Sequence, residues 1–129
     1  MILYIETSAA AKLLVEEPAS SHLAARLDKA VDQGDALLSS TLLETELRRL
    51  AVRVDLAQAA VTHLLERFDL MEIDRSLYRE AGLLPGRHLR SLDALHLAAA
   101  LRVDADVMVT YDRRQADVAE AAGLPVLAP

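Results

Sequence analysis

Short apolar runs alternate along this chain with longer segments that mix apolar and polar positions. The runs have the length of strands, and they cover residues 1–5, 36–39, 70–73, 107–109 and 125–127. A continuous apolar run of this length is typical of a strand in the interior of a parallel sheet. The longer segments have helical length and helical spacing. The alternation therefore predicts an α/β sandwich with a mostly parallel sheet.

Capping residues, prolines and glycines predict where the helices begin and end. Thr7 or Ser8 can cap a first helix that runs through Val15, and Pro18 stops it. Further helices are predicted over 19–33, 41–53, 55–68, 75–84, 92–103 and 113–122. The sequence has no internal repeat, low-complexity stretch or linker, so we expect a single domain over residues 1–129.

The two helices predicted over 41–68 are rich in leucine. Ser40 or Thr41 is expected to cap the first of them, and Asp55 to begin the second. Their apolar residues exceed what one small core obviously needs, so part of them could form a groove for a partner helix or a dimer contact. The periodicity fits two ordinary core helices equally well. Both interpretations stay open at this point.

Composition and charge exclude several classes of function. With 20 acidic and 14 basic residues, the formal net charge is −6, which disfavours binding of long duplex nucleic acid through bulk charge. The absence of cysteine excludes disulfide scaffolds, thiolate zinc sites and cysteine nucleophiles. No apolar run approaches the roughly 20 residues that span a bilayer, and no signal-peptide pattern precedes the first strand. We therefore expect a cytoplasmic protein that does not enter a membrane.

Acidic residues lie where an open α/β sheet binds its ligands, outside the carboxyl ends of the strands. Glu6 follows the first predicted strand, Asp112 follows the fourth, and Asp93 stands in the first turn of a largely apolar helix. A carboxylate in such a helix is costly to bury unless it is paired or bound to a cation. Each of the three could equally serve only as a cap or as a favourable charge at a helix N-terminus.

The helix over 41–53 offers two acids, Glu44 and Glu46, which helical geometry separates. Glu44 has Arg48 four residues later, the spacing of an ordinary surface ion pair. Glu46 lies two residues further on, about 200° around the helix, where it flanks the leucine-rich stripe. Glu46 is therefore predicted to face inward, and a half-exposed salt bridge with Arg49 is the alternative.

A meeting of these four carboxylates at one place would require a cation. Each pair about 5 Å apart repels by about 3 kcal/mol at an effective dielectric constant of about 20. Hard oxygen ligands without His or Cys favour Mg²⁺ or Mn²⁺. Magnesium lowers the pKa of a bound water and neutralises charge on phosphoryl oxygens. The acids together thus predict a metal site suited to the hydrolysis of phosphodiesters.

Four segments around these acids resemble, in the same order, the motifs of PIN-domain proteins. They are YIETSA at 4–9, STLLETELR at 40–48, SLDALHLAAA at 91–100 and VTYDR at 109–113. Each motif alone is weakly specific, whereas four in order along nearly the whole chain are highly specific. The compact length resembles the VapC ribonuclease toxins of bacterial toxin–antitoxin pairs.

This resemblance implies a fold, an activity and a set of site residues. The fold is a three-layer α/β/α sandwich, and the activity is magnesium-dependent endonucleolytic cleavage of RNA. Four positions match the metal-binding acids of the family: Glu6, Glu46, Asp93 and Asp112. The first and third of these are the most direct metal ligands in the family. Thr7 and Thr110 fall on hydroxyl positions that support the cluster, and the family also implies a cognate antitoxin and a homodimer.

One position departs from the family pattern. The first acid of the family is normally Asp, and this chain has Glu6. The additional methylene moves the carboxylate outward by about 1.5 Å on an unchanged backbone, and a misplacement of about 1 Å can cost about 10²-fold in rate. A second hypothesis is therefore a catalytically weakened PIN-like module that binds antitoxin or RNA without efficient cleavage. Both hypotheses stay open here.

Basic residues flank two of the acidic motifs. Arg87 and Arg90 lie in the predicted loop before the sixth helix, and Arg113 opens the seventh, so they are candidates for contacts with RNA phosphates. A solvated loop and an exposed helix start explain them equally well. The four histidines lack the spacing of a zinc-binding pair, and His96 is expected to pack within its helix.

Overall fold

The fold is built on one sheet of short strands. A computed structural model describes the whole chain, residues 1–129. The strands are β1 (Ile2–Ile5), β2 (Ala36–Ser40), β3 (Asp69–Met71), β4 (Val107–Val109) and β5 (Val126–Leu127). Their order in the sheet is β3-β2-β1-β4-β5, and every neighbouring pair is parallel. The predicted strands and the predicted parallel sheet are confirmed.

Helices connect the strands, as parallel pairing requires. They are α1 (Thr7–Leu14), α2 (Ser20–Asp32), α3 (Leu42–Arg53), α4 (Gln58–Leu65), α5 (Arg75–Gly82), α6 (Ser91–Arg102) and α7 (Arg113–Ala121). All the predicted helices are present. None of them combines the length and the apolarity that crossing a membrane demands.

The central strand separates two hydrophobic cores, one on each face of the sheet. Successive side chains of a strand point to opposite faces. Leu3 and Ile5 therefore pack with buried residues of α1, α2, α3 and α4, whereas Tyr4 packs with buried residues of α5, α6 and α7. Helices thus cover both faces, and the three-layer α/β/α arrangement is confirmed.

The leucine-rich helices α3 and α4 belong to the first core. Leu43, Leu47, Val61 and Leu64 are all buried there, against the face of the sheet that carries Leu3. Of the two interpretations of this segment, the structure therefore favours ordinary core helices.

Two predicted helix starts are wrong. Glu6 caps α1, in place of Thr7 or Ser8, because its carboxylate accepts the backbone N–H two residues ahead. Asp55 has a φ of 57°, a left-handed conformation that does not continue into a helix, so α4 begins further along the chain. At α3, Thr41 occupies the N-cap position as expected, but its side chain makes no capping hydrogen bond.

The order of the strands reverses at β1, with β2 and β3 on one side and β4 and β5 on the other. Open α/β sheets bind ligands at such a reversal, outside the carboxyl ends of the strands. Glu6 directly follows β1, and its backbone N–H donates to the carbonyl oxygen of Val109 at 3.1 Å. Asp112 follows β4 at the same edge. The topology therefore brings the first and fourth predicted acids to one end of the sheet.

Candidate functional site

Glu6 is a buried acid held by donors from two segments of the chain. One carboxylate oxygen, Oε2, accepts the backbone N–H of Ser8 at 3.0 Å and also the Ser8 hydroxyl. The same oxygen accepts the Thr110 hydroxyl at 2.8 Å. The other oxygen, Oε1, accepts no hydrogen bond from the protein. Glu6 therefore keeps one oxygen fixed by the fold and one oxygen without a protein donor.

Glu46 faces inward from α3, as the helical geometry predicts. Its Oε1 accepts the Thr7 hydroxyl at 2.8 Å and lies 2.6 Å from His96 Nε2. Glu44 forms the expected surface pair with Arg48, at 2.8 Å. The Glu46 side chain is 24% exposed, compared with 46% for Glu44. The inward orientation of Glu46 is confirmed, and its hydrogen-bond partners replace the alternative salt bridge.

The surroundings of Glu46 favour its ionised form. Burial by itself raises the pKa of this carboxyl, but the hydrogen bonds from His96 and Thr7 lower it. The pKa of Glu46 is therefore lowered from its ordinary value. Such a carboxylate stays negative in the pH range where a divalent cation needs it to be deprotonated.

Asp93 and Asp112 lie at the starts of two helices, α6 and α7. Asp112 caps α7 by accepting the backbone N–H of Arg114 at 2.9 Å. Burial, and next the negative charge of Asp112, raise the pKa of Asp93 above its ordinary value. The two helix starts are tied together by Gln115, whose side-chain amide donates to the backbone carbonyl of Asp93 at 3.0 Å. A bound cation would relieve the repulsion between the two carboxylates.

Two residues of this region were not assigned a role in the site from the sequence. Ser8 contacts Glu6 and, through its hydroxyl, accepts the backbone N–H of Tyr111 at 2.8 Å. His96 was expected to pack within α6, and it is indeed buried, but it also contacts Glu46. The sequence contains one indication that His96 lies near the site: it follows Asp93 by three residues and therefore shares its face of the helix.

The structure gathers the predicted acids at one edge but distributes them over three groups. Glu6 lies with Thr110, Glu46 lies with Thr7, and Asp93 lies near Asp112. No three acidic or histidine side chains are arranged so that they could hold one ion directly. The carboxylate oxygens are nevertheless suitable ligands for Mg²⁺, which commonly binds only one or two carboxylates and keeps several water ligands. Metal binding by the four acids stays a prediction.

The candidate RNA-binding residues are close in sequence to the acids of α6 and α7. Arg87, Arg90 and Arg113 are exposed, and none of them forms an ion pair within the chain. They stand in the loop before α6 and at the first position of α7, close in sequence to the acids of those helices. Their guanidinium groups are therefore free to contact an external anion.

Comparisons with known proteins agree with the resemblance seen in the motifs. The family profile described as PIN domain matches residues 3–121. Ribonuclease VapC35 of Mycobacterium tuberculosis is 40% identical over 134 residues, which cover 99% of this chain and 97% of that protein. Ribonuclease VapC46 of the same species is 36% identical over 130 residues, covering 98% of this chain and 97% of that protein.

Solved structures show the same fold at low sequence identity. A crystal structure of VapBC2 from Rickettsia felis, bound to a DNA fragment from their promoter, contains a chain that matches with a TM-score of 0.77 at 15% identity. That match covers 98% of both chains. The sarcin-ricin-loop-cleaving toxin VapC20 of Mycobacterium tuberculosis matches with a TM-score of 0.74 at 17% identity, over 98% of this chain and 99% of that chain.

Proposed function

This chain belongs to the PIN-domain family and, within it, to the VapC-type ribonucleases, and from that premise we propose that it is a magnesium-dependent endoribonuclease toxin. Relatives that share at least 36% of its residues over nearly full length are named ribonucleases. One structural observation carries the site assignment. Glu6 and Glu46 each have one oxygen fixed by hydroxyl donors and one oxygen without a protein donor, at the carboxyl edge of the sheet.

In the proposed site, Glu6 and Asp93 hold the metal most directly, and Glu46 and Asp112 complete the set. The bound ion supplies an activated water and neutralises charge on the phosphoryl oxygens. The protein supplies orientation, because hydroxyl donors fix each glutamate before any ion or substrate arrives. Mn²⁺ is expected to substitute, since it accepts the same hard oxygen ligands.

In the proposed site, the exposed arginines contact phosphates of the substrate beside the metal. Arg87, Arg90 and Arg113 supply positive charge beside a cluster of acids in a chain whose net charge is −6. Local cations of this kind position a phosphate backbone without requiring a basic protein. The proposed substrate is therefore RNA, held at a few phosphates beside the metal, and the proposed place of action is the cytoplasm.

The proposed partners are a cognate antitoxin and a second copy of this chain. Structures with the same fold are described as VapBC2 and VapBC-1, and another as FitAB bound to a DNA fragment. A toxin that cleaves RNA inside its own cell needs a partner that blocks the site. Co-expression with the neighbouring reading frame, followed by purification of a stable complex that lacks nuclease activity, tests this part of the proposal.

The test of the nuclease compares two acids of one helix. Purified wild-type protein, Glu46→Gln and Glu44→Gln are incubated with structured RNAs in Mg²⁺ or in EDTA. Wild type and Glu44→Gln should cleave in Mg²⁺ only, because Glu44 forms a surface pair with Arg48. The rate of RNA cleavage by Glu46→Gln should be lower by more than about tenfold, because a loss of at least this size is usual when a metal site is disturbed. Cleavage that EDTA leaves unchanged would defeat the proposal.

The second candidate function is a PIN-like module that binds RNA or antitoxin and cleaves inefficiently. Its specific support is the conformation of Glu6, whose carboxylate caps α1 and accepts both the Ser8 and Thr110 hydroxyls on one oxygen. A carboxylate committed to these donors is less available to an ion. RNA binding by wild type without detectable cleavage in Mg²⁺ or Mn²⁺, together with cleavage by Glu6→Asp, would favour this second function.

A further inference from the structure

A buried chain of polar contacts leads from the second core to Glu46. The Tyr4 hydroxyl lies 2.8 Å from His96 Nδ1, and His96 Nε2 lies 2.6 Å from Glu46 Oε1. Tyr4 and His96 are almost fully buried, with exposures of 0% and 1%. The two rings meet edge to face, with centroids 5.8 Å apart. This contact chain joins β1, α6 and α3 beneath the candidate site.

The partners on either side of His96 determine which ring nitrogen carries the proton. An ionised Glu46 can only accept, so Nε2 must donate to it. Burial raises the pKa of Tyr4, so its hydroxyl keeps a proton to donate. In a neutral imidazole Nδ1 is then the acceptor, and it receives the Tyr4 hydroxyl. Both ring nitrogens are therefore satisfied in a single tautomer.

We infer that His96 is a positioning residue: held between Glu46 and Tyr4 as the Nε2–H tautomer, it fixes one oxygen of Glu46 and leaves the other for the ion. Thr7 supports the same oxygen from α1, at 2.8 Å. Groups that hydrogen-bond a metal-ligating carboxylate set its orientation and its charge. The role in metal binding rests on the proposed function, whereas the fixed tautomer does not.

Packing alone does not account for a histidine at this position. The hydrophobic cluster that contains its partner Tyr4 also includes Leu95, Leu97 and Met108. A leucine would fill a similar space without the cost of burying two polar nitrogens. The imidazole is tolerated because both nitrogens have partners, and one of those partners is an acid of the candidate site.

The first experiment measures the tautomer without any metal. Long-range ¹H–¹⁵N correlation spectra of the wild-type protein in EDTA at neutral pH should show Nε2 protonated and Nδ1 bare. In Tyr4→Phe, Glu46 still accepts from Nε2, so the same tautomer should persist while Nδ1 loses its hydrogen-bond donor. A wild-type spectrum with a protonated Nδ1 would overturn the inference, whether the ring is neutral or charged. Because the key spectrum is of wild type, no variant has to fold for the measurement to decide.

The second experiment measures Mn²⁺ affinity by electron paramagnetic resonance, in the absence of RNA. His96→Leu should bind Mn²⁺ about 10- to 100-fold more weakly than wild type. His96→Gln, whose amide nitrogen can take the place of Nε2, should recover most of that affinity. His63→Leu is the matched control, because His63 is exposed and lies beside Glu66. Thermal unfolding shows that each variant compared is folded.

The outcomes separate this inference from the proposed function. Unchanged Mn²⁺ affinity in His96→Leu, or equal losses in His96→Leu and His96→Gln, would overturn the positioning role. Wild-type protein that binds no Mn²⁺ and cleaves no RNA would overturn the proposed function. In that case the tautomer spectrum still decides whether His96 holds Glu46 in the fixed arrangement.

Discussion

The Thr110 hydroxyl donates a 2.8 Å hydrogen bond to Glu6 Oε2, and it thereby joins the carboxyl ends of β1 and β4. The same hydroxyl oxygen accepts the backbone N–H of Asp112 at 3.1 Å. Thr110 itself is buried, at 1% exposed. One side chain thus positions two of the four candidate ligands.

Replacing Thr110 by valine should therefore harm both stability and function. The valine keeps the shape of the side chain but removes the donor to Glu6 and the acceptor for Asp112. The free energy of unfolding should fall by about 1–3 kcal/mol, since buried partners are left unsatisfied. Urea unfolding measures this loss, and Mn²⁺ titration should show weaker binding. Thr45→Val, at an exposed position of α3, is the control and should change neither quantity.

Shortening Glu6 to aspartate should raise magnesium-dependent cleavage. Glu6→Asp withdraws the carboxylate by about 1.5 Å, toward the geometry for which the family pattern is built, and Asp remains a good N-cap for α1. Initial rates of RNA cleavage at saturating Mg²⁺ measure the effect. Glu6→Gln serves as the control that removes the charge and should be inactive. Equal or lower activity in Glu6→Asp would count against the match between Glu6 and the first acid of the family.

The elements that were predicted well from the sequence are those that local pattern determines. Buried parallel strands have continuous apolar sequences, so β1 and β4 can be predicted without tertiary information. The period of the helix separates Glu46 from Glu44 by a large angle, and this angle alone predicts which of them faces inward. In both cases the deciding contacts lie within one element.

The features that were missed depend on contacts between distant parts of the chain. His96 meets Glu46 across 50 residues and Tyr4 across 92 residues, so its partners exist only after the sheet has formed. The cap of α1 was predicted to be Thr7 or Ser8, with a capping role for Glu6 left open, for another reason. Glutamate is an uncommon N-cap, and two hydroxyl residues, Thr7 and Ser8, stand directly after Glu6. The conformation of the folded backbone, and not the residue type, determines that the Glu6 side chain accepts the backbone N–H of Ser8.

Neutralising Asp93 should stabilise the metal-free protein while abolishing its activity. Burial and the charge of Asp112 raise the pKa of Asp93, so the folded protein is destabilised when this carboxyl is ionised. Asp93→Asn removes that cost and should raise Tm in EDTA at neutral pH. Asp117→Asn removes the same formal charge at an exposed position and is the control. A lower Tm for Asp93→Asn than for this control would contradict the repulsion inferred between the two carboxylates.

The stability gain of Asp93→Asn over wild type should depend on pH in a defined direction. Below the ordinary pKa of aspartate, folded and unfolded wild type both carry the proton, and Asp93→Asn gains nothing. Wild-type stability is lost as the pH rises from the ordinary value through the raised pKa of the folded state. The advantage of Asp93→Asn should therefore appear over that interval and stay constant above it. If the proposed site binds Mg²⁺, added Mg²⁺ should reverse the order at neutral pH, because only wild type keeps all four proposed ligands.

Gly86 controls the loop that carries the candidate RNA-binding arginines before α6. Its φ is 104°, a conformation that L residues with side chains rarely adopt, and an added Cβ would lie 2.9 Å from Val118 Cγ2. Gly86→Ala should therefore lower the free energy of unfolding by more than about 1 kcal/mol. Gly82→Ala is the matched control, because Gly82 ends α5 with nothing within 4 Å of an added Cβ and without a positive φ.

A second substitution separates the two causes of the expected loss. Val118→Ala removes the atom that the new Cβ would strike but leaves the backbone strain at position 86. The double variant Gly86→Ala/Val118→Ala should therefore lose less stability than the two single losses added together, without reaching the stability of Val118→Ala alone. Urea unfolding of wild type, the two single variants and the double variant measures this.

If the loop also presents Arg87 and Arg90 to RNA, Gly86→Ala should weaken RNA binding at low salt, whereas Gly82→Ala should not. Equal RNA affinities in these two variants would show that the loop geometry does not matter for the substrate.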